Sequence, residues 1–154
     1  MSGIVSPTGL VTIGACLGLI IGAAAFSGHA APARRYINVP HLIEAPFSDA
    51  VQIGDTVYLA GRLGHDASLQ VPANPADEAR VILDGVKSVL AAAGMTMDDL
   101  VSVQVFCTDL SLFDTWNGVY RRYFGKELPA RAFIGAGSLL RGAHFEMQGI
   151  AVRK

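Results

Sequence analysis

Two ionisable side chains stand inside otherwise apolar, strand-like runs near the C-terminus. Arg131 lies in "ARAFIGAG", residues 130–137, and Glu146 in "AHFEMQGIAV", residues 143–152. Taking a charge out of water is costly unless it is partnered or used. A guanidinium presents paired N–H donors that fit a carboxylate as a bidentate fork. A carboxylate beside it can orient a water or move a proton. If the two runs pair antiparallel through the loop "SLLRG", both charges face a common end of a sheet. They are then a structural ion pair, or charges exposed at a strand edge, or a divided machinery in which Arg131 grips an acid and Glu146 handles a proton or a water. The two groups pointing to opposite sides of the sheet would end the case for catalysis by this pair within one subunit.

Other chemistry is thinly represented. His29, His41, His65 and His144 show no paired ligand spacing, so no metal site is expected. The two cysteines, Cys16 and Cys107, lie in an apolar leader and a predicted strand, which does not make a disulfide framework. A net charge of -1 offers no broad basic field for nucleic acid.

The elements that must position Arg131 and Glu146 can be read from period and punctuation. "SDAVQIGDTVYLAGR", residues 48–62, alternates on both sides of Gly54-Asp55 and predicts a hairpin. Residues 63–75 read as a polar, Pro-containing loop. A helix follows, with Asn74 as N-cap, Pro75 at the first position and Asp77 and Glu78 in the first turn. Ala79, Ile82, Leu83, Val86, Val89, Leu90 and Ala93 form its apolar stripe, and Gly94 stops it. "LVSVQVFC", residues 100–107, predicts a strand. "SLFDTWNGVYRRYFG", residues 111–125, predicts a second helix with Ser111 and Asp114 in capping-box spacing and an aromatic stripe of Phe113, Trp116, Val119, Tyr120 and Tyr123. The two C-terminal runs complete the order strand, strand, helix, strand, helix, strand, strand. Two such helices should cover one face of one mixed sheet. Phe106, Phe133 and Phe145 make parts of both faces apolar, which predicts burial of the second face against other subunits.

Residues 1–33 contain no Asp, Glu, Lys or Arg, and "GLVTIGACLGLIIGAAAF", residues 9–26, borders on membrane-spanning length. Residues 1–34 are therefore expected to be a signal peptide or a membrane anchor, followed by one domain over 35–154. Small residues near Gly28 and Ala30 suit cleavage and export to the periplasm. Arg34 and Arg35, which follow the apolar run, suit a retained anchor instead.

From about Tyr36 to Lys154 the chain resembles the RidA/YjgF family of imine and enamine deaminases. "APFSDAVQIGDTVYLAGRLG" is similar to the family's opening strand pair, and "AAAGMTMDDLVSVQVFCTDLSLFDTWNGVYRRYF" to its central helix end, strand and second helix. "PAR" and "GAHFEMQGIAV" are similar to its closing signature. The resemblance implies an α+β, chorismate-mutase-like single domain, a mixed sheet with two helices on one face, and a homotrimer with sites in the clefts between neighbours. It implies a small imino acid as substrate, a keto acid as product, and no cofactor. It places Arg131 at the substrate-carboxylate arginine and Glu146 at the water-positioning acid, as the catalytic pair. Gly61, Phe133, Phe47 and Arg62 fall at substrate-binding positions. The chain departs from the family pattern at Phe47, where Tyr is common, at Arg62, where Gln is usual, and at Gln148 and "ARA", differences that bear on substrate choice and rate.

The chemistry suits such a site. A clasped carboxylate fixes the imine carbon for attack by water. An iminium is already electrophilic and needs neither metal nor covalent nucleophile, so Cys107 is expected to be a core thiol. The expected function is hydrolytic deamination of 2-imino or enamino acids to 2-keto acids and ammonium. The alternatives are a non-catalytic accessory or assembly subunit of a membrane or periplasmic enzyme complex, and a small-carboxylate sensor.

Overall fold

The computed structural model describes residues 32–40, 45–66 and 68–154, which belong to one compact unit, Ala31–Lys154. The expected leader at 9–26 lies outside the described residues. Among the described residues, no helix is long and apolar enough to cross a membrane.

Six strands form one mixed sheet in the order β1-β2-β3-β6-β4-β5. They are β1 (Arg34–Ile37), β2 (Ala50–Ile53), β3 (Thr56–Leu63), β4 (Leu100–Cys107), β5 (Ala130–Gly135) and β6 (Phe145–Val152). The β2–β3 hairpin turns at Gly54, whose φ of 57° is in the left-handed region that glycine adopts without a steric cost. Strand β1 was not expected; "RRYI" adds to the far edge of that hairpin, antiparallel to β2.

Helix α1 (Pro75–Ala92) starts as its sequence requires. The Asn74 side chain accepts from the Ala76 N–H, and Pro75 takes the first position, where no N–H is needed. It ends at Ala93, and Gly94 follows with φ 72°. Helix α2 (Phe113–Tyr120) is shorter than expected and its start differs. Asp109, not Ser111, does the capping: its carboxylate accepts from Ser111 N at 2.9 Å and opens a short 3₁₀ turn, Leu110–Leu112, that leads into α2.

One face of the sheet is dry. Val103, Val105 and Cys107 of β4 and Phe145, Met147 and Ala151 of β6 are buried in one core with Ile82, Leu83, Val86 and Leu90 of α1 and Trp116 and Tyr120 of α2. The intervening residues, Ser102, Gln104 and Phe106 on β4 with Glu146, Gln148 and Ile150 on β6, form the other face, which no described element covers. There a concavity of ≈ 330 Å³ lies between Tyr58, Ser102, Gln104, Gln148 and Ile150. Two helices on one face of a mixed sheet is the architecture the sequence predicts.

The expected antiparallel pairing of the last two strands does not occur. β5 pairs with β4, in parallel, and β6 is inserted between β3 and β4. The physical reason is the crossover: α2 carries the chain back over the sheet, so β5 runs alongside β4 in the same direction. The segment after β5 then passes over the end of β4. Ala136 N donates to Cys107 O at 2.8 Å and Thr108 N to His144 O at 3.0 Å.

Candidate active site

The strand register decides where the two charges point. Arg131 is the lateral neighbour of Val103, and Phe133 of Val105, so both lie on the helix-covered face. Glu146 is the neighbour of Phe106 on one side and Leu63 on the other, and lies on the open face. Within one subunit Arg131 and Glu146 therefore point to opposite sides of the sheet. The expectation that they face a common end is overturned, as is a salt bridge between them.

Arg131 is half-buried in a cradle built by one stripe of α2. Phe113, Asn117 and Tyr120 recur at spacings of four and three, one helical face. The guanidinium carbon is 4.6 Å from the centre of the Tyr120 ring and 5.8 Å from those of Phe113 and Phe133. Arg131 Nη2 donates to Asn117 Oδ1 at 2.6 Å. Phe113 and Phe133 meet edge to face at 5.1 Å, which fixes the cradle's walls. Among the described residues Arg131 makes no ion pair. Burial pulls its pKa below the ordinary arginine value, Tyr120 opposes that, and the charge of Arg121 adds to it. Burial also pushes the Tyr120 phenol up to about 12, with Arg131 pulling the other way. The Tyr120 hydroxyl is buried and has no hydrogen-bond partner among the described residues. A sheltered cation with ring faces around it and no counter-ion is suited to receive an anion.

Glu146 meets a different neighbour. A Cβ added at Gly61 would collide with Glu146 Oε1, so the carboxylate occupies the space a side chain would otherwise fill. Gly61 and Glu146 are thus one unit on the open face. Arg62 points the other way. Its Nη1 is 3.2 Å from Asp49 Oδ1, and its guanidinium packs where a side chain at Gly85 of α1 would stand. Asp49 in turn accepts from Val39 N at 2.8 Å. Arg62, expected at a substrate-binding position, makes an ion pair here that ties β3 to the segments before β2. Phe47 is exposed in the segment leading to β2 and makes no ring contact among the described residues. Cys107 is buried, donates to Asp109 O at 3.0 Å, and has its thiol pKa raised by burial, as a core thiol should.

Asn117 escaped the sequence argument. Its signal was a single amide in an aromatic stripe, at a position that is only 9% exposed. A buried amide needs a partner, and that partner is Arg131.

These observations define a class: a small α+β domain, one mixed sheet with helices on one side, holding a sheltered cation without a counter-ion among the described residues. Residues 40–153 match the family described as endoribonuclease L-PSP, and the chain belongs to that family, which is the RidA/YjgF family. A Mus musculus relative named 2-iminobutanoate/2-iminopropanoate deaminase is 37% identical over 110 residues, 70% of this chain and 82% of the relative. The structure of RidA from an Antarctic Psychrobacter superposes with a TM-score of 0.72 at 29% identity, covering 77% of this chain and 99% of that one. Escherichia coli TdcF with bound serine gives 0.72 at 31% identity, covering 78% and 99%.

Proposed function

We propose that this protein hydrolyses 2-imino acids to 2-keto acids and ammonium. The observation that carries the reading is the Arg131 cradle, a half-buried guanidinium with no counter-ion among the described residues, in a chain whose relatives are named for that reaction. Arg131 holds the substrate carboxylate, with Asn117 fixing the guanidinium and Phe133 walling the cleft. Water adds to the carbon of C=N, the nitrogen leaves as ammonia, and C=O remains. Glu146 orients that water and takes its proton. The reaction needs a planar cation, a placed water and a dry cleft.

The two groups lie on opposite faces of one sheet, so one subunit cannot hold the complete pair. The reading therefore requires Arg131 of one subunit and Glu146 of a second, across a cleft between copies, in the homotrimer that the resemblance implies. The uncovered sheet face supports such an assembly: Tyr36 is 62% exposed and Tyr58 48%, and both belong to one row with Val51 and Ile150. Net charge -1 gives no support to a polynucleotide substrate. Export, or anchoring through residues 9–26, is part of the proposal, and N-terminal sequencing of the mature protein tests it.

The deciding assay follows ammonium or keto-acid release from imines made in situ by an amino-acid oxidase. Wild type should raise the rate above spontaneous hydrolysis, and Arg131→Ala should lose about a hundredfold or more of kcat/KM. A wild type without activity, or an Arg131→Ala variant at the wild-type rate, overturns the reading.

A further inference from the structure

We propose that Arg121 directs the Arg131 cleft toward imino acids that carry a second acidic group. The inference rests on the imine-deaminase reading and names the substrate class of that site. Arg121 follows Tyr120, whose ring lies 4.6 Å from the Arg131 guanidinium carbon. It closes α2 as the C-cap, and its backbone N–H bonds back to Asn117 O and Val119 O. Asn117 is also the residue that receives the Arg131 N–H. Residue 121 is thus fixed on the helical turn that forms the cradle. Its side chain is exposed and makes no ion pair among the described residues, and Arg131 makes none either.

Arg121 thus stands one turn beyond Asn117, on the stripe of α2 that faces the Arg131 guanidinium of β5, and neither cation makes an ion pair among the described residues. Their charges repel, which is one of the causes that lower the Arg131 pKa. A ligand with one carboxylate neutralises one of them. A ligand with two acidic groups engages both, the first in the cradle and the second at its exposed edge. The hydrolysis itself is unchanged: water adds to C=N, ammonia leaves, and the second acidic group takes no part. The competing account is that Arg121 only complements the C-terminal pole of α2. Arg122 occupies the same last turn and would serve that role equally, so it provides the control.

The test uses the full chain and two imines generated in situ, one from glutamate and one from 2-aminobutyrate. The quantity read is the ratio of kcat/KM for the dicarboxylic imine to that for the monocarboxylic one. Arg121→Glu should lower that ratio by about fivefold or more, the scale of one exposed charge contact replaced by repulsion. Arg121→Lys should retain most of it, Arg122→Glu should leave it unchanged, and added salt should narrow it in wild type. Equal ratios in wild type, Arg121→Glu and Arg122→Glu overturn the proposal. If wild type hydrolyses neither imine, the deaminase reading falls instead. Calorimetry with 2-oxoglutarate and 2-oxobutanoate then decides the role of Arg121, and binding of neither, or a preference unmoved by Arg121→Glu, overturns it.

Discussion

Arg131 has one N–H donor committed to Asn117 and its guanidinium carbon 4.6 Å from the centre of the Tyr120 ring, so the group is held in place with further donors left for a planar acid. Gly61 plays the matching part for Glu146. Any Cβ there strikes the carboxylate, so Gly61→Ala should shift Glu146 rather than unfold the protein. The expected result is a kcat reduced by about ten- to a hundredfold with a smaller change in KM, and a melting temperature close to wild type. A normal kcat in that variant would remove Glu146 from the mechanism. Much at this scale was visible in the sequence, because a charge inside an apolar run announces itself. The direction each charge takes was not, since it depends on which strands become neighbours. Arg62 shows the same limit: nothing in its local sequence points to the bond it makes with Asp49, thirteen residues earlier.

Among the elements, α1 and β6 are joined by one buried carboxylate. Glu78 is 0% exposed and accepts from His144 N at 2.8 Å, Phe145 N at 2.9 Å and His144 Nδ1 at 2.7 Å. A carboxylate accepts, so the His144 proton is assigned to Nδ1. Gly64 packs directly on Glu78, where a side chain would collide. Glu78→Ala strands two backbone donors and should cost about 3 kcal/mol or more, measured by urea denaturation. Glu78→Gln keeps a carbonyl for both and should cost less. Read from the sequence, Glu78 was a first-turn acid complementing the helix dipole, and nothing local revealed its partners 66 and 67 residues away. Helix α1 was legible at both ends because Asn74, Pro75 and Gly94 act on their own backbone. β4 was legible from its alternation. The neighbour order was not: period two reports which residues share a face and is silent on partner and direction. β1 is not legible because "RRYI" is only four residues long, opens on two charges and has a single buried position, too little for a period of two to show.

For the molecule as a whole, the separation of Arg131 and Glu146 makes a sharp prediction. Arg131→Ala and Glu146→Gln should each be inactive alone, and subunits of the two mixed by unfolding and refolding together should regain part of the wild-type rate. No recovery in mixed oligomers of normal size would sink the shared cleft. Alkaline stability follows from two phenols. Burial pushes both Tyr120 and Tyr123 up to about 12, against about 10 in an unfolded chain, with the Asp84 carboxylate that Tyr123 donates to raising the latter further. The unfolded state then loses these protons first, so their contribution is intact below about pH 10 and declines as pH rises toward about 12. Denaturant midpoints taken across that window should fall, and Tyr120→Phe or Tyr123→Phe should flatten the slope.

Placing the acid and the guanidinium on opposite sides of one sheet has a genetic consequence. In the cleft proposed between copies, a subunit that lacks both groups and still assembles would spoil its own cleft and that of an adjoining copy. One damaged allele would then depress output by more than its share of the protein made, so inheritance of the defect would be partly dominant.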